Sequence, residues 1–229
     1  MLHTFAAHTA SPLYPRYFAF RQRIFNQLLG YWDSGYPVYS FPARTAAVDD
    51  AFEYDAYDLP KTIYTAYVDP TDDQIQGCFR LLPADAQYMV RDSVERGIWQ
   101  GVELLEPLPV SNRIYEGSRI AIAPGLPQPM RRRIRDALVL SNVEMAVRIG
   151  FDAMIGIMSD AIWTSVYRRR GLDVRYLSRP FRLDDNDPQI IGLVQMEARH
   201  LAMLRQSCDV EMHVDPELLR LHRAHAAAN

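Results

Sequence analysis

Cysteine is scarce here: Cys78 and Cys208 are the only two among 229 residues. Neither stands in a C-x-x-C or Cys/His spacing, so no metal site is expected, and a single pair makes no disulfide framework. Both are read as reduced thiols of a cytoplasmic protein. No apolar run approaches the ~20 residues that cross a bilayer, so no membrane partner is expected. The opening MLHTFAAHTASPLYPR lacks a basic n-region and a long apolar core, so it is not read as a signal peptide. Repeats and low-complexity stretches are missing. Excess charge is missing too: 25 basic residues meet 28 acidic ones for a net charge of -3, which argues against a nucleic-acid partner. With 48% apolar and 23% charged residues the composition is that of an ordinary globular protein. Residues 1–208 are read as one domain, with 209–229 as a peripheral tail that is helical or frayed.

The segment PRYFAFRQRIFNQLLG predicts a helix from Pro15 to a stop at Gly30, with Phe18, Phe25 and Leu28 on one stripe. Arg21 falls on that stripe, where it must snorkel or pair with a carboxylate. TIYTAYVD (62–69) and QIQGCFRLLP (74–83) predict two strands around a turn, and RIYEGSRIAIA (113–123) a third. RRRIRDALVLSNVEMAVRIG (131–150) predicts a helix with Ile134, Leu138, Met145 and Ile149 on one face and Gly150 ending it. DAMIGIMSD (152–160) reads as a buried strand, AIWTSVYRRRG (161–171) as a helix, LDVRYLS and QIIGLVQME (189–197) as strands, and ARHLAMLRQ (198–206) as a helix. Strands and helices alternate in the second half, which predicts an α/β sandwich around a mixed sheet.

Charge recurs where the pattern predicts partial burial. In FEYDAYD, Glu53, Asp55 and Asp58 alternate with Phe52, Tyr54 and Tyr57. Arg80 ends a strand before Leu-Leu-Pro. Glu116 and Arg119 would face opposite sides of a regular strand, but Gly117 between them hints at a bulge that re-aims one of them. Two readings are open. Glu116 and Arg119 could sit exposed on an edge strand, with the other charges forming separate surface pairs worth ~0–1 kcal/mol each. Alternatively the arginines and carboxylates form one network, as partly buried charges require partners.

In this order the residues resemble the LuxI-type acyl-homoserine lactone synthases. The resemblance spans roughly residues 15–200 and rests on Arg21-x-x-x-Phe25, Glu53-x-Asp55-x-x-Asp58, Tyr64, Arg80-Leu81-Leu82-Pro83 and Glu116-x-x-Arg119. The family's tryptophan after Leu-Gly corresponds here to Tyr31 or Trp32, and the segment up to Glu53 is longer than is usual in the family. The resemblance implies a three-layer α/β/α sandwich similar to the N-acetyltransferase (GNAT) superfamily. RIYEGSRIAIA and DAMIGIMSD would be its two splayed central strands. It implies S-adenosylmethionine as a substrate rather than a cofactor, and an acyl thioester on acyl carrier protein or coenzyme A. Phe25, Tyr31, Trp32, Glu53, Asp55, Asp58 and Arg80 would bind S-adenosylmethionine, the acids taking its ammonium and the rings its sulfonium.

The implied reaction acylates the amine of S-adenosylmethionine and then closes the lactone, releasing methylthioadenosine. Glu116 is the first candidate for the base and Asp55 the next, with Arg119 and Arg21 completing the catalytic set. Backbone N–H groups freed by the bulge would hold the tetrahedral intermediate. Met154, Gly156, Ile157, Met158, Ile162 and Trp163 are candidates for the acyl pocket, although plain core packing is the better account of most of them. Gly156 by resemblance occupies a position that often holds threonine in makers of 3-oxo products, which leans towards an acyl chain without a 3-oxo group. Arg168, Arg169 and Arg170, with the RRRIR run, read either as a solvated basic face or as the dock for an acidic carrier or coenzyme A phosphates. The rival readings are a GNAT-like acyltransferase acting on another amine and a non-catalytic sensor of S-adenosylmethionine.

Overall fold

The computed structural model describes residues 1–6, 11–28, 53, 55–183 and 188–227. Its strands are β1 (Leu2–Ala6), β2 (Ile63–Val68), β3 (Ile75–Ala84), β4 (Ser111–Ile122), β5 (Ala153–Ser159), β6 (Val174–Tyr176), β7 (Gln189–Gln195) and β8 (Met212–Val214). They form one sheet in the order β6-β7-β5-β4-β3-β2-β1-β8. The β4–β5 and β1–β8 pairs are parallel and the rest antiparallel, so the sheet is mixed as expected. β2 and β3 are buried along their whole lengths because both sheet faces are covered.

The helices are α1 (Leu13–Arg21), α2 (Met89–Glu95), α3 (Gln128–Ile149), α4 (Asp160–Ile162), α5 (Ala198–Ser207) and α6 (Pro216–Ala227). α1 begins two residues before Pro15, which sits in its first turn where a missing N–H costs nothing. It continues as a π-helical stretch, Gln22–Leu28. The wider turn shifts the side-chain phase, so Leu28 leaves the Phe18–Phe25 stripe and is 57% exposed. α3 ends at Gly150, whose φ of 97° only glycine adopts freely, and Ile134, Leu138, Met145 and Ile149 are buried as expected. α4 runs on through a π-helical turn (Trp163–Tyr167) and a 3-10 turn (Arg168–Arg170). α2 has no counterpart in the sequence reading. Its seven residues are too few to show a period.

α3 packs on one face of the sheet with α5 and α6, over a core that includes Phe79, Met154, Met158 and Trp163. The opposite face holds two separate apolar clusters. One gathers Phe18, Phe25, Tyr64 and Cys78 around α1; the other gathers Tyr57, Leu82, Tyr88, Val90 and Ile155 near α2. Residues 209–227 are built into the sandwich. β8 extends the sheet beside β1, Leu218 and His222 are buried, and His222 Nδ1 lies 2.8 Å from the Tyr115 hydroxyl. A three-residue strand and a strand at residues 2–6 leave little periodic signal, so neither is predicted from sequence.

β4 and β5 pair only from Ile114–Ala153 to Glu116–Ile155, although both strands run further. They therefore part at Gly117 and Gly156, where an added Cβ on Gly156 would lie 3.1 Å from the Gly117 carbonyl oxygen. Gly156 pairs directly with Gly192 of β7, and the Trp163 indole lies over Gly192. A Cβ there would approach the ring to 2.7 Å, so Gly192→Ala is expected to cost about 1–3 kcal/mol by overpacking, read by urea denaturation. No loss would mean that Trp163 is free to move aside.

Candidate active site

Strand alternation places Cys78, Arg80 and Leu82 on the same face of β3. Cys78 belongs to the α1-side cluster and Leu82 to the α2-side cluster, so Arg80 stands between the two. Its neighbours across the ladder are Tyr64 on β2 and Ser118 on β4. Arg21 arrives from the last turn of α1, and Glu53, Asp55 and Asp58 from the loop before β2.

Arg119 reaches the same place through a bulge. Cys78 opposes Ala121 and Arg80 opposes Ser118, so two residues of β4, Arg119 and Ile120, face Phe79 alone. Arg119 takes φ 53°, a left-handed conformation rare for a residue with a Cβ, and its carbonyl accepts from the Cys78 thiol at 3.2 Å. This irregularity turns Arg119 towards the face that alternation assigns to Glu116 and Ser118. The expected re-aiming is present, but its pivot is Arg119 and not Gly117. Gly117 is glycine because a Cβ would sit 2.4 Å from Met154 Sδ and 2.7 Å from Phe79 Cζ.

The charges meet in one network. Arg21 bonds Glu53 through Nε and Asp58 through both Nη atoms, at 2.7 and 3.1 Å. Arg80 donates to Asp55 at 2.6 Å, to Asp58 at 3.2 Å and to Ser118 Oγ at 2.9 Å. Arg119 donates to Glu53 at 2.9 Å and Asp55 at 2.7 Å. Tyr64 donates its hydroxyl to Asp58 at 3.2 Å, and the Asp55 N–H bonds Asp58 at 2.8 Å. The reading as separate surface pairs is excluded. Arg21 and Arg80 are fully buried, which this multiple pairing makes tolerable.

Burial alone would raise the Asp55 carboxyl, but Arg80, Arg119 and Arg21 outweigh it and hold the group well below the usual carboxylate range. Glu53 behaves likewise: burial raises it, and Arg119 and Arg21 bring it below its ordinary value. The acids of FEYDAYD are thus ionised partners of arginines, and three positive charges meet three negative ones. The rings serve the same network. Phe18 lies 4.9 Å from the Arg21 guanidinium and Phe25 lies 5.5 Å from that of Arg119. Tyr57 packs in the α2-side cluster and donates to Asp92 at 3.0 Å. Tyr31, Trp32, Phe52 and Tyr54 lie outside the described residues.

Glu116 differs from the other acids. It is fully buried, its Oε2 accepts the Val90 N–H at 3.0 Å, and its Oε1 has no partner among the described residues. Burial pushes its carboxyl up to about 7, with the Val90 N–H and the nearby Arg80 opposing only in part. Arg80 Nη2 is likewise without a partner among the described residues. The two unspent polar atoms belong to neighbouring groups, so a hydrogen-bonding ligand can be held here. Sequence reasoning missed the Val90 contact, which only the docking of α2 creates. Ser118 was within reach, because it stands two residues from Glu116 on the same strand face.

Met154, Gly156 and Met158 point to the opposite face of β5, where Met154 packs on Gly117 at the parting of β4 and β5. Trp163 is fully buried there and donates its Nε1–H to the Ile190 carbonyl at 3.0 Å. Ile162 does not join them. It is 43% exposed, because α4 begins at Asp160 and turns that side chain outward. Ile157 falls on the other face by alternation. Arg168 and Arg169 are exposed, the former 4.3 Å from the Tyr176 ring. Arg170 is turned inward and bonds the Ser165 and Val166 carbonyls and Asp136, so it caps its own helical turn. Arg131, Arg132 and Arg135 line a cavity of about 340 Å³ with Ile122 at the end of β4. Both cysteines are free and buried, and burial pushes the Cys78 thiol up to about 12. Among the described residues no helix is long and apolar enough to cross a membrane.

No protein-family model matches the chain. Acyl-homoserine-lactone synthases from Ralstonia nicotianae and Ralstonia solanacearum are each 29% identical to it, over 160 and 159 residues, covering 68% of this chain and 74% of theirs. Among solved structures, the coenzyme A-dependent acyl-homoserine lactone synthase BjaI, with S-adenosylmethionine and isopentyl-CoA, has a TM-score of 0.72 at 19% identity, covering 98% of this chain and 99% of its own. The synthase LasI has a TM-score of 0.66 at 19% identity, covering 92% and 96%. TofI, in a complex with an inhibitor and methylthioadenosine (MTA), has 0.64 at 23% identity, covering 95% and 99%. These likenesses carry the fold, the Ralstonia matches carry the sequence relationship, and the motif residues converge on one buried site. On these grounds the chain is similar, in sequence and in fold, to the acyl-homoserine lactone synthases.

Proposed function

We propose that this protein makes an acyl-homoserine lactone, a quorum-sensing signal, from S-adenosylmethionine and an acyl thioester. The observation that carries this reading is the pairing of an arginine–carboxylate frame with one unpaired, proton-holding acid, Glu116, beside the parted strands. Such a frame fixes geometry, and Glu116 exchanges a proton near neutral pH.

In the first step the neutral amine of S-adenosylmethionine attacks the thioester carbonyl. Glu116 takes the proton that the amine loses, directly or through water. N–H groups at the Arg119 bulge hold the tetrahedral oxygen, which collapses to the amide as the carrier thiol leaves. In the second step the substrate's own carboxylate attacks the carbon next to the sulfonium. The ring closes, and methylthioadenosine leaves as a neutral thioether. That step is intramolecular, so positioning dominates it.

The network has no net charge when Glu116 is protonated and one negative charge when it is ionised. The cationic substrate therefore meets a site whose charge is set by Glu116, rather than a cluster of free acids. Phe25, Glu53, Asp55, Asp58 and Arg80, with Tyr31 and Trp32, form the S-adenosylmethionine side by family resemblance. Asp55 orients arginines instead of acting as a base, since three cations hold it ionised. The acyl chain passes between β4 and β5 towards Met154, Gly156, Met158 and Trp163. The exposed Arg168 and Arg169, and the Arg131–Arg135 cavity, suit the phosphates of coenzyme A or an acidic carrier protein. The reaction takes place in the cytoplasm, where both substrates are made.

The test is to mix the pure protein with S-adenosylmethionine and a panel of acyl thioesters on both carriers, following free thiol and identifying products by mass. Lactone and methylthioadenosine are expected in equal amounts. Thiol release without methylthioadenosine would indicate an acyltransferase on another amine. Binding of S-adenosylmethionine without turnover on any donor would indicate a sensor.

A further inference from the structure

Two polar side chains are sealed in the apolar layer behind the parted strands, and neither the fold nor the proposed steps use them. Asn142 lies within α3, and Tyr167 ends the π-helical turn after α4; both are fully buried. Tyr167 shares its core cluster with Met154, Met158 and Trp163, and its ring centre is 5.4 Å from that of Trp163. Trp163 in turn lies over Gly192 and within 3.8 Å of a Cβ placed on Gly156. The pair thus borders the space assigned to the acyl chain.

Asn142 Oδ1, Asn142 Nδ2 and the Tyr167 hydroxyl have no hydrogen-bond partner among the described residues. Burial raises the Tyr167 hydroxyl, and the Asn142 amide is close enough to moderate that rise, yet not at hydrogen-bonding geometry. Nearby polar groups are satisfied: Ser141 donates to the Leu138 carbonyl at 2.7 Å and Trp163 to that of Ile190 at 3.0 Å. Leucine and phenylalanine would fill the same space with nothing left unmatched. Buried polar atoms without partners are rare in native interiors and call for a ligand or water.

We propose that Asn142 and Tyr167 form the polar end of the acyl pocket and bind a hydroxyl group carried on the acyl chain. The inference rests on the synthase reading. A hydroxyl fits because it both donates and accepts: Asn142 Oδ1 accepts its proton, while Asn142 Nδ2 and the Tyr167 hydroxyl donate to its oxygen. A ketone oxygen would satisfy the donors and leave Oδ1 unmatched. A site built to bond a hydroxyl also discriminates strongly against the analogue lacking one, because its polar atoms are then stranded.

The experiment compares lactone formation from matched pairs of acyl thioesters, with and without one hydroxyl. It covers short to long chains, with the hydroxyl at each carbon in turn, and uses the full-length wild type, Asn142→Leu and Tyr167→Phe. Thermal denaturation of each protein confirms that it is folded. At the fitting length and position the hydroxylated donor is expected to have a kcat/KM at least about 10-fold higher in the wild type. The ratio is expected to fall towards one in both variants. A preference that survives both substitutions overturns the proposal. Equal rates within every wild-type pair also overturn it, assign an internal water to the pair, and leave the synthase reading standing. No lactone from any thioester rejects both.

Discussion

Glu116→Gln is expected to lower turnover about 100- to 10,000-fold while S-adenosylmethionine binding, measured by calorimetry, changes little. The loss of a general base falls on the chemical step. Glutamine keeps the acceptor that meets the Val90 N–H, so α2 should remain docked. In the wild type the acid limb of the rate profile should lie near pH 7, where Glu116 gives up its proton. That limb should vanish in the variant. Equal losses of turnover and of binding would instead assign Glu116 an orienting role. The same proton leaves a signature in stability. Between the ordinary value of 4.5 and about 7 the native state keeps a proton that the unfolded chain has released. Stability contributed by this group is therefore full below pH 4.5, falls as pH rises through the window, and is lost above about 7. The change is roughly 3 kcal/mol for a fully buried carboxyl, and Glu116→Gln should flatten it.

Arg21→Met is expected to destabilise the fold by about 3–5 kcal/mol, read by urea denaturation at neutral pH. The methionine fills much of the same volume but leaves Glu53 and Asp58 without their shared cation. Both are buried in a place that water does not reach. The response to acid carries the same mechanism. Glu53 is held below its ordinary value partly by Arg21, so the stability it contributes is present above the unfolded pKa and lost as pH falls through the folded one. Without Arg21 its folded pKa rises, so it should contribute less stability above that range and acid unfolding should begin at higher pH. A variant that loses less than 1 kcal/mol and unfolds at the same acidic pH would mean that the network is solvated and plastic.

The two predictions separate what the site's acids do. Glu53, Asp55 and Asp58 act through the arginines they hold, and their removal should damage fold and function together. Glu116 is held by one backbone N–H and its other oxygen has no partner among the described residues, so it can be altered with the frame intact. The sequence reading ranked Glu116 before Asp55 as the base but gave Glu53, Asp55 and Asp58 to the substrate's ammonium, because interleaved rings and carboxylates give no sign of which charges are already paired.

Much of the sandwich was legible in the chain. β2, β3, β4, β5 and β7 alternate or run apolar over enough residues to declare a strand, and the period of α3 persists for 22 residues. A charge standing on an apolar stripe left Arg21 to snorkel or to pair, and the structure shows it paired. What was missed is short or depends on distant contacts: α2, β1, β8 and the inward turn of Arg170. The bulge was half legible. Gly117 marked the right strand, but its glycine answers to Met154 packing from β5, whereas the kink falls at Arg119 and is held by the Cys78 thiol from β3.

Taken alone, the sequence determined the inventory: which side chains carry charge, which strands and helices bear them, and which family pattern they follow. These are properties of local period and residue type, and they survive without knowledge of neighbours. Only the tertiary structure decided how the charges divide. Arg80 stands between two apolar clusters because strand register puts it there, Arg119 joins Glu53 because a left-handed residue swings it across the strand, and Glu116 keeps its proton because α2 closes over it. Each of these is set by groups far apart along the chain, whose mutual distance and shared exclusion of water exist only after folding.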